Sequence, residues 1–115
     1  MFCNVFDMKK KKIKIPLYYG ELVIVRGKMK EIAKKYDLNY EAFEAVVWRD
    51  EKKKYLKLFV AFSEKSSVDV IAHEAVHLVN HVFIHTGMKL EPYNDEAQAY
   101  LTGWFVKKIN KFLKK

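Results

Sequence analysis

This chain has little cysteine and no long apolar segment. Cys3 is its one cysteine in 115 residues, so an intramolecular disulfide is impossible and a disulfide-stapled secreted module is excluded. No apolar run approaches the roughly 18 residues needed to span a bilayer. The N-terminal apolar residues also precede the lysines, which reverses the order of a signal peptide. We therefore expect a single domain over residues 1–115, located in the cytoplasm and without a membrane partner.

Arginine is scarce, although the chain is strongly basic. The net charge is +8, and Arg26 and Arg49 are the only arginines among 22 basic residues. Lysine attracts phosphate backbones, but arginine is the residue that pairs with phosphates and base edges at two points. We interpret the lysine blocks mainly as a solvated surface, and weak nucleic-acid binding remains the alternative. Composition favours no particular oligomeric state.

The hydrophobic periodicity predicts the element order ββαββαα. Residues 13–25 indicate two strands with a bend at Gly20, and the apolar spacing from residue 29 to residue 36 is typical of a short helix. Residues 42–48 and 55–62 predict two more strands joined by a charged turn. Residues 1–8 are expected to form a loose arm or a short edge segment. The fold class is α+β, with a small antiparallel or mixed sheet and helices packed mainly on one of its faces.

Two longer helices complete the predicted fold. Ser66 is expected to cap a helix that runs to Thr86, with Gly87 as its C-terminal stop. Asn94 is expected to cap the last helix, whose lysine-rich end suits the negative end of the helix dipole.

All of the chain's histidines lie four residues apart on the first of these helices. The four imidazoles wind across a sector of about 120°; they belong to His73, His77, His81 and His85. The opposite side of the helix is apolar and is expected to face the core; it consists of Ile71, Ala75, Leu78, Val79 and Val82. The helix therefore has one apolar face and one imidazole face.

The first pair of histidines carries a glutamate directly after its first member, in the pattern His73-Glu74-Ala75-Val76-His77. Two imidazoles at this spacing reach one metal ion, and Zn²⁺ binds such nitrogens at about 2.0–2.1 Å. Glu74 projects about 100° from His73, where a general base can take a proton from zinc-activated water. About 0.01 copies of the pattern are expected by chance from this composition, so it indicates a zinc site.

A catalytic zinc site usually has three protein ligands and one open position. The carboxylates that follow the helix are the candidates for the third ligand, and they are Glu91, Asp95 and Glu96. Asp95 and Glu96 also suit the positive end of the last helix dipole, which is an alternative reason for their position.

The pattern from His73 to His77, followed by Glu96-Ala97-Gln98-Ala99, resembles the zincin metallopeptidases of the gluzincin type. It is similar to the small ImmA/IrrE-type zincins of mobile elements and to short phage and bacterial zincin-like proteins. The resemblance covers residues 68–104 and implies a minimal zincin-like fold with Zn²⁺ as cofactor. It implies His73 and His77 as ligands, Glu96 as the third ligand and Glu74 as the general base. Asp95 remains an alternative to Glu96.

The resemblance also implies a zinc-dependent metallopeptidase, a hydrolase whose zinc-activated water attacks the carbonyl of a peptide or protein substrate. In zincins the strand before the active helix commonly binds an extended substrate, and residues 55–62 match that strand by position. The candidates for a substrate-binding or transition-state donor are Tyr93, Tyr100, His81 and His85. The alternative functions are a zinc-binding, non-proteolytic protein of a phage or mobile element and a basic nucleic-acid-binding module.

Overall fold

The computed structural model of the protein describes residues 8–39, 44–64 and 66–114. The elements in these ranges are β1 (Lys9–Ile15), β2 (Gly20–Arg26), α1 (Met29–Lys35), β3 (Ala45–Arg49), β4 (Lys57–Phe62), α2 (Val68–Thr86) and α3 (Glu96–Leu113). The fold is α+β, with the predicted order ββαββαα. Residues 1–7 of the expected N-terminal arm and residues 42–43 of the predicted third strand lie outside the described residues.

The strands form one mixed sheet in the order β1-β2-β4-β3. β1 pairs with β2 and β3 pairs with β4 in antiparallel fashion, whereas β2 and β4 are parallel. In the part of the chain that is described, β2 and β4 are therefore central strands, and β1 and β3 are the two edge strands.

β1 begins at Lys9, four residues before the start predicted from the apolar pattern. Lys9 to Lys12 are exposed and pair with residues 23–26 of β2. Only Ile13 and Ile15 of this strand pack against the core. Lysine side chains keep an exposed edge strand hydrated and oppose its pairing with another chain. The charged residues 9–12 are therefore compatible with a strand here.

Both faces of the central strands are buried. One face packs against α2 and α3 through Leu22, Ile24, Leu58, Val60 and Phe62. The opposite face packs against α1 through Val23, Val25, Phe59 and Ala61. Two of the three helices in the described ranges thus share one face of the sheet, while α1 covers part of the other. This second layer explains why both central strands are almost continuously apolar.

Local signals fix the C-terminal end of α2. Gly87 adopts a left-handed conformation with φ 75°, and Met88 N–H donates to Phe83 O at 3.0 Å. A glycine stop of this kind was predicted. The residue that precedes α2 is Ser67 rather than Ser66, and its hydroxyl donates to the Asp69 carboxylate instead of capping a backbone N–H.

α2 and α3 pack against each other and against the sheet. The predicted apolar face of α2 is buried, as are Leu101, Phe105 and Ile109 of α3. α3 follows Asp95 rather than Asn94. At its other end, Arg26 Nη1 donates to Leu113 O at 2.9 Å, which ties the end of α3 to β2. None of the helices in the described ranges is long and apolar enough to cross a membrane.

Candidate metal centre

A cleft of about 290 Å³ separates α2 from the edge strand β3. Its walls are three residues of β3 and four of α2: Ala45, Val46, Val47, His73, Glu74, His77 and His81. The cleft therefore combines a short apolar strand with most of the imidazole face that the sequence predicts.

His73 and His77 lie one helical turn apart, and their rings meet at the cleft. Their Nε2 atoms are 3.2 Å apart, and the ring planes are inclined by 71°. Two nitrogens bound to one tetrahedral zinc ion at about 2.05 Å lie about 3.3 Å apart. The pair thus already has the spacing of two zinc ligands. In the metal-free protein the same distance allows an N–H···N hydrogen bond between the two imidazoles.

Glu74 lies beside this pair and is buried, with 7% of its surface exposed. Its Oε2 atom is 3.9 Å from His73 Nε2. Burial raises the pKa of the Glu74 carboxyl, and positive charge on His73 and His77 opposes that rise. A carboxyl with a raised pKa beside potential metal ligands is suited to accept and return a proton.

The remaining two histidines have different surroundings. His81 is half-buried and lines the cleft. Burial lowers the pKa of His81, as do the charges of Arg49 and His77, while Glu51 acts in the opposite direction. His85 Nδ1 accepts a hydrogen bond from Arg49 Nη2 at 3.0 Å. His85 therefore joins α2 to the end of β3 and is not among the cleft-lining residues.

Glu96 and Asp95 lie at the start of α3, and neither lines the histidine cleft. Glu96 is the exposed first residue of α3, and Asp95 directly precedes that helix. The described part of the chain contains no group of three or more His, Cys, Asp or Glu side chains placed to hold a metal ion. The structure thus brings His73, Glu74 and His77 together at the cleft, whereas Glu96 and Asp95 are not among the residues that line it.

The two tyrosines proposed as substrate or transition-state donors are exposed. Tyr93 lies in the loop before α3, and Tyr100 is 54% exposed within that helix. Neither lines the cleft. Of the candidate donors, His81 is the one that shares the cleft with His73 and His77.

The prediction that an extended substrate pairs with residues 55–62 is wrong for residues 57–62, which form β4. β4 pairs with β2 along one edge and with β3 along the other, so its backbone is already engaged. β3 is the edge strand, and it forms the cleft wall opposite the histidines. The expectation is based on the position of this strand before α2 along the sequence, and that position does not determine whether a strand lies at the edge of a sheet.

Sequence reasoning missed the contributions of β3 and Arg49 to this site. Val46 and Val47 line the cleft because β3 lies at the edge next to α2. Arg49 contacts His85 from the end of that strand. The sequence did contain one indication of a role for Arg49, because it is an arginine beside a turn whose other basic residues are lysines.

No protein-family model, curated protein or solved structure matches this chain. Function is therefore inferred from the cleft and its residues alone.

Proposed function

We propose that this chain is a zincin-like zinc-binding protein in which His73 and His77 hold the metal ion. The observation that carries the proposal is the 3.2 Å separation of their Nε2 atoms beside buried Glu74. Neutral imidazole nitrogens are among the ligands that zinc prefers. Glu96 is the proposed third ligand, with Asp95 as the alternative, because both lie at the start of the helix that packs against α2.

Within that class, the proposed activity is hydrolysis of a peptide bond. A zinc ion supplies Lewis-acid chemistry, which polarises a carbonyl group and lowers the pKa of water. Glu74 takes the proton from the attacking water and returns it to the leaving amine, and its raised pKa suits both steps. His81 faces the same cleft, where an imidazole N–H can donate to the carbonyl oxygen as negative charge develops.

β3 is the proposed binding strand for an extended peptide. Its outer edge borders the cleft, so a peptide added to that edge would pass the histidine pair. Val46 and Val47 provide apolar contacts for the peptide side chains. The substrate class is therefore an extended peptide segment, because pairing with β3 requires a partner backbone in extended conformation.

Metal analysis of the purified protein tests the zinc site. Stoichiometric zinc is expected in the wild type, and His73→Ala and His77→Ala should each lose it. His85→Ala is the matched control, because His85 lies on the same helix but contacts Arg49 rather than the pair. Retention of zinc by both His73→Ala and His77→Ala, or absence of zinc from reconstituted wild type, contradicts the proposal.

Peptide cleavage tests the catalytic role separately. Glu74→Gln should keep the metal and lower turnover of an unstructured peptide pool by about 10²–10⁴-fold, as expected for loss of a general base. Glu64→Gln makes the same chemical change at an exposed site outside the cleft and should leave turnover unchanged.

A zinc-binding protein without proteolytic activity is the second candidate. It is favoured by one observation, namely that Glu96 is not among the residues that line the histidine cleft. On this alternative, zinc is present but wild type and Glu74→Gln show the same absence of peptide cleavage.

A further inference from the structure

A second cleft lies between the edge strand β1 and the end of α3. It has a volume of about 300 Å³ and is lined by Lys11, Lys12, Ile13, Lys14, Lys108, Lys111 and Phe112. Five of these seven residues are lysines, and none is acidic. We call this cleft the lysine groove. The strand order places it at the edge of the sheet opposite β3 and the histidines.

Charge of one sign also dominates the segments that build the lysine groove. Residues 8–20 and 97–115 contain ten lysines and none of the 14 acidic residues of the chain. Elsewhere, lysines and carboxylates are interleaved along the sequence, as at Asp50, Glu51 and residues 52–54. A surface that carries positive charge without interspersed carboxylates attracts anions. The elongated shape of the lysine groove suits a chain of anionic groups.

The walls of the lysine groove are held in place by packing and hydrogen bonding. Ile13 and Phe112 pack against the main core from β1 and α3. The hydrogen bond from Arg26 to Leu113 O fixes the end of α3 against the sheet. The lysines are therefore held near one another despite their mutual repulsion, and a bound polyanion would relieve that repulsion.

Exposed aromatic rings adjoin the lysine groove at Lys14. A more open pocket of about 630 Å³ at the β1–β2 turn is lined by Lys14, Leu17, Tyr19 and Tyr55, among others. Tyr19 is 97% exposed and Tyr55 is 45% exposed. The carboxylate at this pocket belongs to Glu21, which is paired with Lys57 at 3.4 Å.

We propose that the lysine groove and Tyr19 form a binding surface for single-stranded nucleic acid. The phosphate backbone lies along the lysines of β1 and α3, and a base stacks on the exposed ring of Tyr19. Proteins that bind single strands combine a basic groove with aromatic stacking surfaces in this way. An acidic peptide has no base to stack on Tyr19, and a planar lipid surface does not follow a concave groove.

Fluorescence anisotropy with a labelled single-stranded oligonucleotide tests the proposal, with EDTA present so that zinc plays no part. If all five lysines contact phosphates, log K should fall against log salt with a slope of about −3.5. The triple variant Lys11→Gln/Lys108→Gln/Lys111→Gln should reduce that slope by about 2 and weaken binding about 100-fold at 0.1 M salt. The corresponding triple Lys-to-Arg variant should retain the affinity.

Lys52→Gln/Lys53→Gln/Lys54→Gln is the matched control, since it removes the same charge from exposed lysines outside the groove. It should weaken binding less than about threefold, because those lysines contribute only to the long-range field. Tyr19→Ala should weaken binding about tenfold, whereas Tyr19→Phe keeps the ring and should bind like the wild type.

Several results would overturn the proposal. Equal losses in the two triple Lys-to-Gln variants would show that only net charge matters. Equal affinities for Tyr19→Ala and Tyr19→Phe would remove the stacking role. Binding of duplex DNA, poly-glutamate or phosphatidylserine vesicles as tight as that of the single strand, at matched charge concentration, would refute the choice of partner.

Discussion

The hydrogen bond between Arg49 and His85 is expected to stabilise the wall of the histidine cleft. Arg49 ends β3, and its Nη2 atom donates to His85 Nδ1 of α2 at 3.0 Å in a partly buried position. Since the cleft lies between these two elements, the contact limits how far β3 moves from α2. Arg49→Met and His85→Phe remove the hydrogen bond from either side while keeping much of the side-chain volume.

The structure predicts unequal effects for the two substitutions. A hydrogen bond to a charged group contributes about 1.5–3 kcal/mol, and partial exposure places this one near the lower end. Among the described residues, Arg49 Nε is buried without a hydrogen-bond partner, so Arg49→Met also relieves a desolvation penalty. We expect a loss of about 0.5–1 kcal/mol for Arg49→Met. His85→Phe should cost more, about 1.5–2 kcal/mol, because it leaves the guanidinium group unpaired.

Urea denaturation of both single variants and the double variant measures the coupling directly. The expected coupling energy is about 1–1.5 kcal/mol at neutral pH. Arg26→Met combined with His85→Phe is the control pair, and it should be additive within about 0.5 kcal/mol. A coupling below about 0.3 kcal/mol, or a larger loss for Arg49→Met than for His85→Phe, would refute the reasoning.

Three further predictions concern the same domain. Burial raises the pKa of Glu74, so Glu74→Gln should raise the melting temperature of the zinc-free protein at pH 7, and this gain should shrink as the pH falls towards the ordinary glutamate value of 4.5. A gain that grows in acid would contradict it. Burial lowers the pKa of His81, so the folded state resists protonation and the wild type should lose stability as the pH falls below about 6.5. In thermal melts, the melting temperature of His81→Asn should fall less than that of the wild type between pH 7.5 and 5.5. Equal falls in the two proteins would exclude the effect. Phe105 is fully buried, so Phe105→Ala should destabilise the protein by about 3–5 kcal/mol in urea titrations. A loss under about 2 kcal/mol would show that the core closes around the missing ring.

Local patterns predicted most of the secondary structure because short-range geometry decides it. The apolar face of α2 and the glycine stop at Gly87 follow from periodicity and backbone conformation within a few residues. The place of each strand in the sheet depends instead on contacts between distant segments. The apolar runs of β2 and β4 contained part of this information, since strands buried on both faces are typically central. The lysine-rich β1 was correspondingly suited to an edge.

The same distinction applies to the candidate metal centre. His73, Glu74 and His77 lie within five residues of one helix, so helix geometry alone brings them together. The position of Glu96 depends on how α3 crosses α2 and on where its first turn begins, which sequence spacing does not determine. The Arg49–His85 contact similarly depends on the placement of β3 relative to α2.

The strand order separates the two binding sites proposed for this strongly basic chain. β1 and β3 are three strand spacings apart, which corresponds to about 14 Å across the sheet. At physiological salt the Debye length is about 8 Å, so the charges of the lysine groove are largely screened at the histidine cleft. On the β3 side, Arg49 donates a hydrogen bond to His85, and its charge acts on His81 of the cleft. The proposed zinc site at one edge of the sheet and the proposed nucleic-acid site at the other are therefore compatible within one small domain. The positive charge that attracts the nucleic acid is largely screened at the zinc site.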